Sequence, residues 1–215
     1  MFTRIDHVMI CVPDLAQGID VYRRMGFNIY PGGVHTGKGP HNAIAFHQDD
    51  YLELLALRDQ AEYQRALTQG PGPDAGLPEF IVAGGGLRYI IIQSDDLVAD
   101  VAGMRARGVD VSDVVEGGRR TNEGLELRWK AAVLGAGNPL PLFFIQHLTA
   151  IEQRRGQVPV AGNHPNGVQR IERCYIVVHD AGAEAETYAR VLGLPTPPLQ
   201  KGTVINAQIG RASCR

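Results

Sequence analysis

The sequence predicts an α+β fold built from paired βαβββ modules, with an incomplete third module. Three observations carry that prediction. A strand-like run that ends in Asp and leads into a helical pattern occurs three times. Three further strand-like runs follow each of the first two copies. Segments rich in proline and glycine separate the copies.

In the first copy, Ile5 to Val12 is an apolar run with the composition of a strand. Asp14 follows as a helix N-cap, with Gln17 three residues on as in a capping box. Leu15, Ile19 and Tyr22 repeat at helical spacing, and Gly26 supplies the stop. Three strands are then predicted, Phe27 to Tyr30, His41 to His47 and Tyr51 to Ala56. Aligning Asp14 with Asp96 superposes the second copy, Leu97, Val101, Met104 and Gly108 repeating the helix and its stop. Its later strands are predicted at Val109 to Val115, Leu125 to Leu134 and Leu142 to His147. The third copy offers a strand, Ile171 to Val178, and a helix after Asp180. The expected boundaries are 1–70 and 87–157 for the two modules, with linkers at 71–86 and 158–170. A truncated third module covers 171–208. Residues 209–215, Ile-Gly-Arg-Ala-Ser-Cys-Arg, read as a non-native tail resembling translated sequencing adapter, and stand outside the fold argument.

The 215 residues are 44% hydrophobic and 20% charged, which argues against disorder. The net charge of −2 and the lack of a basic stripe argue against nucleic-acid binding. No apolar run reaches membrane-span length and the N-terminus lacks an apolar signal block, so a cytoplasmic protein without a membrane partner is expected. Three cysteines without a CxxC pattern are read as thiols, Cys11 as a small buried hydrophobe.

Strand alternation sorts side chains into faces. His7, Met9 and Cys11 share one face of the first strand, and Tyr51, Glu53 and Leu55 one face of the fourth. In the third strand the His41, Ala43, Ala45, His47 face is expected to join them, with the alanines leaving room for a ligand. Asn42 falls on the other face, although alternation is least secure at a strand's start. His47 also suits a solvated turn, His147 a strand rim, and His164 a structural turn before Asn166-Gly167. Gly32 to Lys38 fits the spacing of a phosphate loop. Gly39-Pro40 supplies neither the hydroxyl nor the helix such a loop needs. The stretch is read instead as a glycine-rich loop over a cleft, from which His35 and Lys38 reach an anionic substrate.

The stretch Pro31-Gly32-Gly33-Val34-His35-Thr36-Gly37-Lys38-Gly39-Pro40-His41-Asn42-Ala43 leads into Tyr51-Leu52-Glu53-Leu54-Leu55-Ala56. With Phe143-Phe144-Ile145-Gln146 and His164-Pro165-Asn166-Gly167, it resembles the glyoxalase-like domain family of the vicinal oxygen chelate superfamily. That resemblance implies the fold of the glyoxalase, bleomycin-resistance and dihydroxybiphenyl-dioxygenase type, two modules forming a half-barrel around a shared cleft. It implies metal ligands on the first and last strands of each module. In the first module these are His7 and Glu53, with His41 as a third, for a divalent Zn, Fe, Ni or Mn ion. The second module places Tyr89 and the Phe144 to Gln146 region at the matching positions, so the four-ligand set is incomplete. His7 can equally be hydrogen-bonded to Glu53 with no metal.

The expected function is an enzyme acting on a small oxygenated molecule through an enediolate-like oxyanion. Glu53 is base or ligand, with its pKa raised by burial, and His7 orients it. His41 and Asn42 stabilise the oxyanion, and Tyr89 and Gln146 line the far wall. Two alternatives stay open, a non-catalytic protein that sequesters an antibiotic-like compound and an Fe(II) ring-cleaving dioxygenase. A homodimer is compatible with all three.

Overall fold

The computed structural model describes residues 1–69, 74–121, 123–136, 140–156 and 162–196. Eight strands form a closed barrel with strand order β1-β4-β3-β2-β6-β7-β8-β5. The first half runs β1 (Phe2–Cys11), α1 (Leu15–Arg24), β2 (Tyr30–Val34), β3 (Pro40–Phe46) and β4 (Tyr51–Leu57). Two short helices, α2 (Gln60–Thr68) and α3 (Leu77–Val82), precede the second half. That half is β5 (Gly86–Ser94), α4 (Leu97–Ala106), β6 (Val115–Arg120), β7 (Glu126–Val133) and β8 (Leu142–His147). Then come α5 (Ile151–Arg155) and α6 (Ala181–Leu192). Among the described residues no helix is long and apolar enough to cross a membrane.

The three Asp residues that mark the repeat are all N-caps. The Asp14 carboxylate accepts from the Gln17 N–H, Asp96 from Ala99, and Asp180 from Gly182 and Ala183. Gly26 and Gly108 follow their helices at φ +85° and +74°, which L residues avoid. Each long helix covers one side of the barrel. Leu15 and Ile19 of α1 pack on Ala43, Ala45, Leu54 and Ala56. Leu97, Val101 and Met104 of α4 pack in one core with Phe2, Ile92, Phe144 and Val191. The Phe2 and Phe144 rings stack at 4.9 Å. α6 lies against α4, where the Arg107 guanidinium donates to the carbonyls of Arg190 and Val191.

Several expectations are corrected. The sheets form a closed barrel where a half-barrel was expected. β2 begins at Tyr30 and so takes in the glycine pair read as loop. β6 is Val115–Arg120 where Val109 to Val115 was expected. Both displaced strands contain adjacent glycines, Gly32-Gly33 and Gly117-Gly118, which hide the β pattern. Val109 and Val111 are apolar because they are buried in the core that holds Met104. The segment read as linker contains α3, with Pro78 in its first turn where a missing N–H costs nothing. Ile171 to Val178 forms no strand, and Tyr175 and Val177 are exposed. The expected break near Gln208 and the tail after it lie outside the described residues.

The barrel closes where β2 meets β6 through the single pair Val34↔Arg120. There Gly33 has φ +139°, and a Cβ on it would sit 2.1 Å from the Arg120 carbonyl oxygen. On the neighbouring β6–β7 pair, a Cβ on Gly117 would meet the Trp129 indole at 2.5 Å. Glycine therefore permits both the seam and the aromatic wall beside it. Gly33→Val is expected to cost about 2–3 kcal/mol in urea unfolding, from combined strain and backbone clash. A loss under ~0.5 kcal/mol would show that the seam does not depend on this glycine.

Candidate functional site

The barrel interior holds a cavity of about 1000 Å³. Register decides what faces it, because residues opposite one another on neighbouring strands share a face. β4 pairs with β1 so that His7 opposes Tyr51 and Met9 opposes Glu53. β3 pairs with β4 so that Ile44 opposes Glu53 and Asn42 opposes Leu55. Asn42, Ile44 and Phe46 thus face inward with Glu53. On the far side, β7 and β8 oppose Trp129 to His147, Ala131 to Ile145 and Val133 to Phe143, and all six line the cavity.

A chain of buried polar groups crosses this wall. His7 Nε2 lies 3.2 Å from Glu53 Oε2, and His7 Nδ1 lies 2.8 Å from Asp6 Oδ2. The same Asp6 oxygen is 2.9 Å from His147 Nε2, while Asp6 Oδ1 accepts from Arg4 at 3.0 Å. Asn42 Nδ2 donates to Glu53 Oε1 at 2.5 Å. His35 Nε2, buried without a hydrogen-bond partner, is 3.6 Å from that oxygen. Tyr51 stacks on the His7 ring at 4.2 Å and 13°.

Two adjacent residues can both join this chain of polar groups because β1 carries a bulge. Its pairing with β5 jumps from Ile5↔Ile92 to His7↔Ile91, so Asp6 is the extra residue. Asp6 is 0% exposed, seated behind His7. Burial by itself would raise the Asp6 pKa. Its bonds to His147 and His7 outweigh burial and hold it well below the usual range. Burial likewise opposes charge on His7, yet the bonds to Asp6 and Glu53 raise its pKa. Glu53 is also buried, but the His35 and His7 imidazoles beside it push its pKa down. The expected rise at Glu53 is thus corrected: neighbouring imidazoles outweigh desolvation, and the group stays a carboxylate.

The sequence-selected residues divide. His7, Glu53, His35, Lys38, Asn42 and Tyr89 line the cavity. His41 does not. It opposes Ala56 and shares the helix-side face with Ala43 and Ala45, both in the core under α1. The inversion arises because the small alanines make room for a helix, where room for a ligand was expected. Asn42 takes the inward place. Gln146 is also corrected: its side chain accepts from the Leu97 N–H and donates to the Asp95 carbonyl, bracing the start of α4. His147, read as rim, is inside. His47, read as a solvated turn, is 1% exposed with Nδ1 on the Asp50 carboxylate. His164 is structural as expected, accepting from the Asn28 N–H. Asp6, His147, Trp129, Arg119 and Arg154 were missed. The adjacent polar pair Asp6-His7, interrupting an alternating strand, was the available signal for the bulge.

The metal set implied by the resemblance does not assemble. With His41 outside, the matching strands of the second half present Tyr89, Phe143 and Ile145 to the cavity, which offer no imidazole or carboxylate. His147 faces Asp6. Among the described residues no group of three His, Cys, Asp or Glu side chains is placed to hold a metal ion. The dioxygenase reading loses His41 as a ligand for the same reason.

The eight-stranded barrel, with one long helix on each half and a cavity carrying a polar wall, is the architecture expected for the vicinal oxygen chelate superfamily. The profile described as "Glyoxalase-like domain" matches residues 5–192, and the chain belongs to that family. No curated protein matches it. Among solved structures, a hypothetical protein from Staphylococcus aureus is similar at 19% identity and TM-score 0.58. That match covers 70% of this chain and 60% of the other, so this chain spans well under two thirds of it. A Streptomyces coelicolor methylmalonyl-CoA epimerase variant in complex with 2-nitronate-propionyl-CoA is similar at 23% identity and TM-score 0.50. Coverage is 70% of this chain and 98% of that one. At these identities the likeness is one of fold.

Linkage fixes the sign of the pH dependence. The raised His7 pKa contributes stability that is complete below 6.5 and is lost as pH rises through the raised value. Depressed Asp6 and Glu53 contribute stability that is complete above 3.8 and 4.5 and is lost as pH falls through their lowered values. The gap in urea stability between wild type and Asp6→Asn is therefore expected to be widest between about pH 4.5 and 6.5 and to narrow on both sides. NMR titration should also show the His7 pKa falling by about one unit or more in that variant. A His7 pKa unchanged by Asp6→Asn would contradict the geometry.

Proposed function

We propose that this chain is a glyoxalase-like enzyme that takes a proton from carbon adjacent to a carbonyl of a small oxygenated molecule. The observation that carries this reading is the His7–Glu53 pair, at 3.2 Å on the cavity wall and braced from behind by Asp6. Glu53 is the proposed base. Asn42 fixes its Oε1 oxygen, and its low pKa keeps it ionised but weakly basic while the imidazoles hold it.

The same imidazoles that depress Glu53 are the donors a bound carbonyl oxygen can recruit. His35 Nε2 is the freer of them, since it has no hydrogen-bond partner. As the substrate C–H proton moves to Glu53, its electron pair passes to the carbonyl oxygen. An N–H turned from Glu53 to that oxygen stabilises the oxyanion and restores basicity to the carboxylate. Asp6 holds the His7 Nδ1 side, so the other nitrogen is directed at Glu53. Delivery of a proton to the opposite face of the same carbon gives epimerisation, and delivery to a neighbouring atom gives isomerisation.

A binding protein is the second reading. It is favoured by the apolar far wall, where Ile91, Phe143 and Ile145 offer surface and no chemistry. Deuterium exchange from D2O into the carbon next to the carbonyl, followed by NMR over a panel of 2-oxo and 2-hydroxy compounds, separates the two. The enzyme reading expects exchange in wild type and a drop of about 10²–10⁴-fold in Glu53→Gln with unchanged circular dichroism. Tight binding with no exchange would establish the binder, and full exchange in Glu53→Gln would remove Glu53 as base.

A further inference from the structure

Carboxylates on the cavity wall are accounted for by neighbouring cations. Glu53 faces His7 and His35, Asp74 pairs with Arg88 at 2.7 Å, and Glu126 pairs with Arg120 at 3.0 Å. Glu116 pairs with Arg128. Behind the wall, Asp6 is shared by Arg4, His7 and His147. Two guanidiniums are left over. Arg119 of β6 and Arg154 of α5 both line the cavity, and among the described residues neither has a carboxylate within ion-pair distance. Their own contacts are neutral or basic. Arg119 donates to the Gly32 carbonyl, and Arg154 lies 3.0 Å from His147 Nε2 while its Nε is buried without a partner.

Arg119 is only 7% exposed, which is unusual for a cation with no counter-charge. Burial pushes both guanidinium pKa values down; the Arg154 charge lowers Arg119 further, while the more distant Glu53 acts upward on Arg119 and Asp6 on Arg154. Both arginines also line an adjoining recess of about 180 Å³, together with Arg155. Glu123 stands at that recess, exposed and not paired with any of the three. A buried guanidinium and a half-buried one that line the same cavity with no carboxylate in ion-pair contact are costly to hold unless an anion arrives.

We propose that this end of the cavity is an oxyanion subsite, in which Arg119 and Arg154 together receive a carboxylate or phosphate group carried by the ligand. The inference rests on the reading that the cavity takes the substrate, and adds that the substrate is an anion. The planar fork of arginine suits both oxyanions, because two N–H groups can meet two oxygens at once. The anionic end anchors the molecule while its carbonyl lies toward Glu53. Affinity for the anion then comes from neutralising charge that the empty protein holds unpaired.

The test uses isothermal titration of the full chain with two matched pairs of probes. They are 2-oxoglutarate against its dimethyl ester, and glyceraldehyde 3-phosphate against glyceraldehyde. At least one anion is expected to bind wild type more tightly than its neutral counterpart, and which one binds distinguishes carboxylate from phosphate. Arg154→Gln is expected to weaken that anion roughly 30-fold or more, with the neutral probe unaffected. Because Arg119 also braces the barrel seam, Arg119→Lys serves as the second variant. It keeps charge but loses the fork, and should weaken the anion with a normal unfolding midpoint. Equal affinity for anion and neutral counterpart overturns the proposal. So does the failure of both anions to bind, or unchanged anion affinity in Arg154→Gln. Exchange of a neutral probe through Glu53 would leave the enzyme reading standing while this one fails. Anion binding lost in Arg154→Gln, with no exchange in wild type, would do the reverse.

Discussion

One imidazole held between two buried carboxylates organises the interior of this protein. His7 can touch Asp6 and Glu53 at once only because β1 is bulged and β4 runs parallel to it in the observed register. Each carboxylate would be costly to bury alone. Bonded to the imidazole and to Arg4, Asn42 and His147, both carboxylates are partnered, in a network whose disruption typically costs about 3–5 kcal/mol. The network is thus a structural requirement, and its position sets where the cavity wall is polar.

The second constraint is closure. β2 and β6 meet through one pair, and glycine at Gly33 is what lets the backbones approach. Closure places Arg119 of β6 beside the first half's strands and lets it donate to the Gly32 carbonyl. The barrel is therefore what combines the acid–base wall of one half with the cationic end supplied by the other half and α5. The inner surface is divided into a polar wall around Glu53, an apolar wall around Phe143, and a basic end at Arg119 and Arg154. That division is the basis of the proposed ligand, with an oxygenated carbon, a hydrophobic side and an anionic terminus.

The segment after the barrel has two kinds of attachment. Asn28 and Gly26 hold the turn at His164 to Asn166, through hydrogen bonds to both backbone and side chain. Asp50 accepts from the Ile171 N–H with both oxygens and from His47 as well. α6 then packs on α4. The strand-like stretch between these anchors, with Tyr175 and Val177 exposed, finds no partner strand among the described residues. Its sequence has the β character of the first two copies, but a strand needs a neighbouring edge, and the barrel has already closed.

The sequence by itself determined what is local. Asp N-caps, glycine stops, the aliphatic stripes of the helices and the inward set of β1 and β4 all follow from interactions within a few residues. His7 and Glu53 were legible because each alternates in step with residues on its own strand, His7 with Met9 and Glu53 with Tyr51 and Leu55. Tertiary structure alone decided the rest. The phase of β3 depended on its pairing with β4, which turned His41 out and Asn42 in. Gln146 went to a helix N-terminus and His147 to the cavity because register on β7 fixed their faces. Asp6 entered the site through a bulge, which exists only relative to β5. Arg119 and Arg154 lie far apart in the chain from His7 and Glu53, and no spacing rule connects them. Periodicity reports which residues share a face, whereas the choice of which face lies inside is made only when the strands pair and the barrel closes.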